Sequence, residues 1–208
     1  LCSFEEAVDQ LEAETRAFRE DRAGYVAFGM RAWKRGRLQE VFGRETPLLF
    51  AKTAAQAQRR ADETARKVLV WAGKEPFELA APGLALRVED GFLRSRGLGA
   101  DLVPPLSLVT DDLGIYYDPT RESRLERLIL APLPPGGRAR TEALLARILA
   151  AGVTKYNLAA DPLPDLGPGR RVLVVGQVED DASIQLGAGQ VCTNLGLLTA
   201  AAQANPGA

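Results

Sequence analysis

The chain has 208 residues, with 26 Lys and Arg against 27 Asp and Glu, and a formal net charge of −1; that balance provides no general field to steer it towards nucleic acid. Its hydrophobic fraction of 46% is ordinary for a globular chain, and no run of apolar residues is long enough for a membrane span. It contains no histidine, which removes Ser-His-Asp and Cys-His chemistry and histidine-bound zinc, and leaves catalysis to carboxylates, Lys, Tyr or Ser.

Residues 3–20 have helical periodicity, with Phe4, Ala7, Val8, Leu11 and Phe18 on one face and Thr15 its polar member. Tyr25 to Gly29 reads as a short buried strand, and Met30 to Leu38 opens a helix that reaches about Phe42. Arg31, Lys34, Arg35 and Arg37 fit a solvated helix face, with contact to an anionic acceptor as the alternative. Pro47–Ala51 is a second strand, 54–66 a polar, alanine-rich helix, Val68–Ala72 a third strand and Leu84–Val88 a fourth. Strands alternating with helices at this spacing predict βαβ units and a parallel sheet. Leu106–Thr110 and Ile115–Asp118 flank Asp111-Asp112-Leu113-Gly114, which predicts a hairpin. Helices follow at 121–130 and 139–151. Residues 158–170, with three prolines and two glycines, read as a linker. A further strand begins at Arg171, and a last helix spans Asn194 to Ala204.

The expected organisation is an α/β domain at 1–157, the linker at 158–170, and at 171–208 the opening βα unit of a second domain. A segment of about 40 residues does not bury enough surface to stand alone. The chain begins at Leu1 and ends just after a helical pattern, so both ends read as cut. No signal peptide is visible, and Cys2 and Cys192 have neither metal spacing nor a disulfide framework. They read as packing thiols in a reducing cytoplasm.

Two acidic clusters end apolar runs. One is Glu89-Asp90, close to Arg94; the other is Glu179-Asp180-Asp181, close to Gln177 and Ser183. Ligands of open α/β sheets bind beyond the carboxyl ends of strands, so carboxylates there suit acid, base or nucleophilic work. A salt-bridged turn accounts equally for the first cluster, and a helix cap accounts for one carboxylate of the second. Gly97-Leu98-Gly99 and Gly187-Ala188-Gly189 are too sparse for a dinucleotide loop. Trp33, Trp71, Tyr116 and Tyr117 fit core or turn packing.

Several stretches together resemble one family. They are Arg87 to Ser95, Gly97 to Gly99, Asp101 to Ser107, Asp112 to Asp118, Gly176 to Ser183, Asn194 to Leu198, and Asn205-Pro206. In this order they resemble the KpsC-like β-Kdo transferases of Gram-negative capsule biosynthesis. The resemblance runs from about Tyr25 to the last residue. It implies a Rossmann-like α/β glycosyltransferase of the GT-B type, here with a complete first domain and a truncated second. It implies CMP-β-Kdo as donor, a phosphatidylglycerol-type lipid or oligo-Kdo acceptor, and other capsule biosynthesis and export proteins as partners. The work would be done in the cytoplasm, with peripheral contact at the inner face of the inner membrane. The family's Lys-Pro-His-Pro type segment, which follows the Asn-Pro, is absent, so this stretch alone is expected to be inactive.

Retention by double displacement requires two carboxyl groups in separate roles. Under the resemblance, Asp181 is the expected nucleophile, with Asp180 as the close alternative, and Glu89 the general base. Arg94 would bind the Kdo carboxylate or an acceptor anion. Gln177 and Ser183 would orient the nucleophile, and Asp90 would line the substrate site. No cofactor is required, though a Mg²⁺ site at Glu179 to Asp181 stays open. The rivals are a non-catalytic capsule assembly or export component with a sugar-binding cleft, and a carboxylate-based glycoside hydrolase.

Overall fold

Val26, Ala27, Val68, Leu69, Val70 and Val88 are all at most 1% exposed, and they lie on three neighbouring strands of one sheet. A computed structural model describes residues 3–76, 79, 83–159, 162 and 165–207. Cys2 and part of the expected linker lie outside these residues. The chain divides into two compact units, residues 1–113 with 132–158, and residues 114–131 with 159–208.

In the first unit the strands are β1 (Tyr25–Phe28), β2 (Leu49–Phe50), β3 (Lys67–Trp71), β4 (Ala85–Asp90) and β5 (Leu108–Asp111). Their spatial order is β2-β1-β3-β4-β5. β1, β2, β3 and β4 are parallel, and β5 runs antiparallel to β4, with Glu89 opposite Val109 and Asp90 opposite Leu108. Helices α1 (Phe4–Asp21), α2 (Arg35–Phe42) and α3 (Ala54–Thr64) precede or interleave the first strands.

Strand side chains alternate between the two faces of a sheet, and this alternation divides the core. Tyr25, Ala27, Leu69 and Val88 pack with Leu38 and Phe42 of α2. Val26, Val68, Val70 and Ala85 pack on the other face with Ala57 and Ala61 of α3. The parallel strands are therefore covered on both sides, as their continuous apolar runs require. Burying a side chain such as Leu38 or Phe42 contributes ~1.5–3 kcal/mol. Thr53 caps α3 by accepting the Gln56 N–H, and Ala65 ends it in the left-handed conformation.

α1 starts with a capping box between Ser3 and Glu6. The four large apolar side chains predicted for one face, Phe4, Val8, Leu11 and Phe18, are all exposed. Two ion pairs, Arg140–Asp9 and Arg147–Glu6, join α1 to a helix that follows Pro134-Pro135.

In chain order the next helices are α4 (Arg124–Leu130), α5 (Gly137–Ala150), α6 (Ala182–Gly187) and α7 (Asn194–Ala204). α5, the helix joined to α1, belongs to the first unit, and the others to the second. α4 has its own capping box, from Ser123 and Glu126.

Three expectations need correction. Residues 106–118 are not a hairpin: β5 pairs with β4, and Ile115–Asp118 form a turn. The apolar run Val172–Val175 is extended but is not a strand, because among the described residues of its unit no strand stands beside it to supply hydrogen bonds. Cys192 is exposed rather than packed, in the loop ahead of α7.

Candidate functional site

The chain leaves β1 for β2 on one side and returns to β3 on the other. Open α/β sheets hold ligands at such a reversal, beyond the carboxyl ends of the two strands, here β1 and β3. Gly29 follows β1 with a φ of +76°, and a Cβ there would lie 2.8 Å from the Lys74 Cβ beyond β3. Glycine thus supplies both the left-handed turn and the close approach of the two loops.

Four charged groups and one indole gather at this end of the sheet. Lys34 comes from the 3₁₀ turn after β1, Trp71 from the end of β3, and Glu89 and Asp90 from the last two positions of β4. Lys34 is 8% exposed. Its Nζ donates to Asp90 Oδ1 at 3.1 Å and stands 3.4 Å from the centre of the Trp71 ring. Arg94 Nε donates to the other Asp90 oxygen at 2.6 Å. Asp90 is therefore clamped between two cations. Burial pulls the Lys34 ammonium below its usual range, against the attraction of Asp90 and Glu89.

Glu89 sits differently. Its Oε1 accepts the backbone N–H of Asp90 at 2.8 Å, and Trp71 pairs with its neighbour Val88 on the adjacent strand. Burial raises its pKa to about 7, and the neighbouring Asp90 charge adds to the rise. The Asp90 N–H, Lys34 and Trp71 act in the opposite direction but do not cancel it. Two adjacent carboxyl groups are thus divided by environment: Asp90 is held between cations, and Glu89 exchanges a proton near neutral pH.

The loop after β4 is fixed by hydrogen bonds. The Gly91 N–H donates to Ser107 O at 2.9 Å, and Ser107 Oγ donates to Leu93 O at 2.6 Å. Arg94 is 2% exposed and also donates to Ser95 Oγ at 2.8 Å and to Val103 O at 3.0 Å. The Arg94 and Ser95 N–H groups donate to Lys155 O, and Asn157 Nδ2 donates to Ser95 O at 2.9 Å. The Arg-Ser-Arg-Gly-Leu-Gly stretch is accordingly a knot that positions Asp90.

In the second unit the acidic cluster builds helix ends. Asp181 caps α6, its Oδ1 accepting from the Ser183 N–H at 2.9 Å and the Ser183 hydroxyl at 2.7 Å. Glu179 accepts the Asn194 N–H at the start of α7. The Asn194 side chain in turn bridges the backbone N–H and C=O of Gln177 at 2.8 and 2.9 Å. Thus Gln177 and Glu179 are tied to Asn194 ahead of α7, and Asp181 and Ser183 form a cap of their own at the start of α6. Asp180 lies between the two in sequence. Among the described residues, no three or more His, Cys, Asp or Glu side chains are grouped to hold a metal ion.

The structure brings together Glu89, Asp90 and Arg94, and separately Asp181 and Ser183. Sequence reasoning missed Lys34 and Trp71. Lys34 was grouped with its arginine neighbours as a solvated face, although it follows a strand at the ligand-binding end of a sheet.

Residues 81–159 match the family described as "Capsule polysaccharide biosynthesis protein". The chain is 36% identical over 214 aligned residues to the capsule polysaccharide modification protein LipA of Neisseria meningitidis serogroup A, covering 99% of this chain and 30% of LipA. It is 50% identical over 127 residues to the lipopolysaccharide-processing protein LpsZ of Rhizobium meliloti, covering 58% of this chain and 29% of LpsZ. The structure of Thermosulfurimonas dismutans KpsC, titled a beta Kdo 2,7 transferase, superposes with a TM-score of 0.65 at 28% identity. That match covers 88% of this chain and 58% of the other. This is a KpsC-like capsule biosynthesis chain. The beta Kdo 2,4 transferase of the same organism superposes with a TM-score of 0.53. The KpsC-like chain thus spans about a third of the length of these curated relatives. Its mixed α/β fold, with a mostly parallel sheet, is the one these neighbours share. The matched stretch at 81–159 includes Glu89, Asp90 and the Arg94 knot. Among the described residues, no helix is long and apolar enough to cross a membrane.

Proposed function

We propose that this KpsC-like chain is part of a retaining β-Kdo glycosyltransferase, drawing on CMP-β-Kdo and acting on a lipid-linked acceptor. The observation that carries the reading is Glu89: a half-buried carboxyl group at the carboxyl end of β4, beside Lys34 and Asp90, whose pKa is raised to about 7. A general base is most effective when its pKa lies near the working pH.

In the first step a carboxylate oxygen of Asp181, or of Asp180, attacks the anomeric carbon, and the C–O bond to CMP breaks. CMP departs with the bonding pair as a phosphate monoester, so little acid assistance is required. In the second step an acceptor hydroxyl attacks the same carbon from the opposite side. Glu89 takes the hydroxyl proton, the bond to the aspartate breaks, and the carboxylate is restored. Two inversions give retention. The hydrogen bonds from Ser183 to Asp181 orient the nucleophile. Asp90, held by Lys34 and Arg94, is fixed in place beside Glu89. Gln177 lines the turn that carries Asp181. The step as written uses no metal, and Mg²⁺ at Glu179 to Asp181 would be an addition to it. The acceptor and the other capsule biosynthesis and export proteins place the work at the inner face of the membrane.

The test offers CMP-Kdo and a lipid-linked or oligo-Kdo acceptor to the intact protein that carries this chain and to its Asp181→Ala and Glu89→Gln variants. Both variants should lose transfer while retaining the fold. Mass spectrometry of a trapped intermediate should find Kdo on the segment 179–183; an adduct on Asp180 moves the role by one residue. Full activity of Asp181→Ala and Asp180→Ala ends the double-displacement assignment to this segment. A second reading is a non-catalytic capsule component with a sugar cleft, favoured by the capping work that Glu179 and Asp181 already perform. It predicts binding of CMP-Kdo without turnover.

A further inference from the structure

Lys34 is the one buried lysine among the described residues, and it reaches the site from a different strand than the carboxylates do. Its ammonium lies over the Trp71 ring at 3.4 Å and contacts Asp90 at 3.1 Å. A cation on the face of an indole, desolvated and paired, is held in place from two directions. Trp71 in turn pairs across the sheet with Val88, next to Glu89. One lysine and one tryptophan therefore link the ends of β1, β3 and β4. The charged groups around Glu89 are Lys34, from the turn after β1, and Asp90, on its own strand. Those around Lys34 are Asp90, Glu89 and Arg94.

We propose that Lys34 is a positioning residue: by pinning Asp90 and stacking on Trp71, it fixes Glu89 as the carboxyl group that exchanges a proton with the acceptor. The inference rests on the transferase reading above for its last clause, but its geometric content stands apart from it. Without Lys34, Asp90 keeps only Arg94 as a cationic partner and is free to turn. Glu89 loses its nearest positive charge while retaining the negative one beside it, so its proton is held more tightly.

The test follows the Trp71 indole N–H by ¹⁵N-resolved NMR across pH 5–10 in the full chain, with Trp33→Phe assigning the second indole signal. Trp71 pairs with Val88, the residue before Glu89 on the neighbouring strand, so its indole shift reports that titration whether or not sugar is transferred. In Lys34→Met the midpoint should move upward by about one unit, the effect of removing one opposite charge at this range. Lys34→Arg keeps the charge and the ring contact and should stay near the parent. Transfer activity should follow. The acid limb of the pH–rate profile should move with the indole midpoint in Lys34→Met, lowering transfer at pH 7 by about fivefold and recovering it at higher pH. An indole midpoint unchanged in Lys34→Met overturns the proposal, as does an equal shift in Met and Arg variants. If the indole titration shifts as stated but neither the parent nor any variant transfers Kdo when carried in the intact protein, the positioning role stands and the transferase reading fails. If transfer occurs with a pH profile indifferent to Lys34, the transferase reading stands and this proposal fails.

Discussion

Replacing Glu89 by Gln tests the central electrostatic claim without reference to catalysis. The folded chain raises this carboxyl group from 4.5 to about 7, so between those values it holds a proton that the unfolded chain releases. Stability from this group is therefore full below pH 4.5 and is lost as pH rises through about 7. At roughly 1.4 kcal/mol per unit, the whole shift amounts to about 3 kcal/mol, of which roughly 2–3 kcal/mol falls between pH 5 and pH 8. Gln cannot ionise, yet its carbonyl oxygen still accepts from the Asp90 N–H. The pH-dependent part alone is removed. Urea unfolding can be followed by the emission of Trp33 and Trp71, which both belong to the first unit. The parent should lose roughly 2–3 kcal/mol more than Glu89→Gln between the two pH values, a midpoint difference of about 1 M or more in urea. Equal pH dependence in the two proteins would refute the argument, because it would mean that Glu89 ionises as it does in water.

Asp90→Asn leaves Lys34 and Arg94 as buried cations without their shared carboxylate and should cost about 3–5 kcal/mol, read as a lower urea midpoint at pH 7. Gly91→Ala places a methyl group against the Ser107 side chain and backbone; a fall in Tm equivalent to about 1–3 kcal/mol is expected. Arg87 is fully buried on β4 and donates to Glu75 at 2.7 Å. Arg87→Met should destabilise by about 3–5 kcal/mol, and Glu75→Gln added to it should restore part of that loss. An additive double variant in equilibrium unfolding would show that the two side chains are not coupled.

The sheet was legible where burial dictates composition. Val68 to Val70 is apolar on both faces because helices cover both, and continuous apolar runs bounded by Gly and charge are easy to find. β4 was harder. Its apolar run seems to stop at Val88, but pairing with β5 carries it to Asp90, so the two carboxylates are strand residues rather than loop residues. The run Val172–Val175 has the same composition as β3 and forms no strand. Apolar character favours a strand only when a neighbour offers hydrogen bonds, and a neighbour is not a property of the segment. Glu89 is a candidate from its place after an apolar run. Lys34 is not, since its burial depends on Trp71 and Asp90, which lie 37 and 56 positions further along. Arg94 and Asp181 also do structural work: one ties a loop and the other caps a helix.

The antiparallel last strand has a consequence for how this protein can vary. Between two parallel neighbours a chain must cross from one end of the sheet to the other, and most of the connection serves as transport. From β4 to β5 no such journey is needed. Residues 91–107 leave one end of the sheet and return to it, so the whole connection is available at that end. Its base is fastened to itself, Gly91 to Ser107, Leu106 to Arg94 and Arg94 to Val103, and also to Lys155 and Asn157. A segment fastened to itself at its base can exchange exposed side chains such as Phe92, Leu102 and Leu106 without disturbing strand register. The geometry of Asp90 and Glu89 can then stay constant while the surface around them changes.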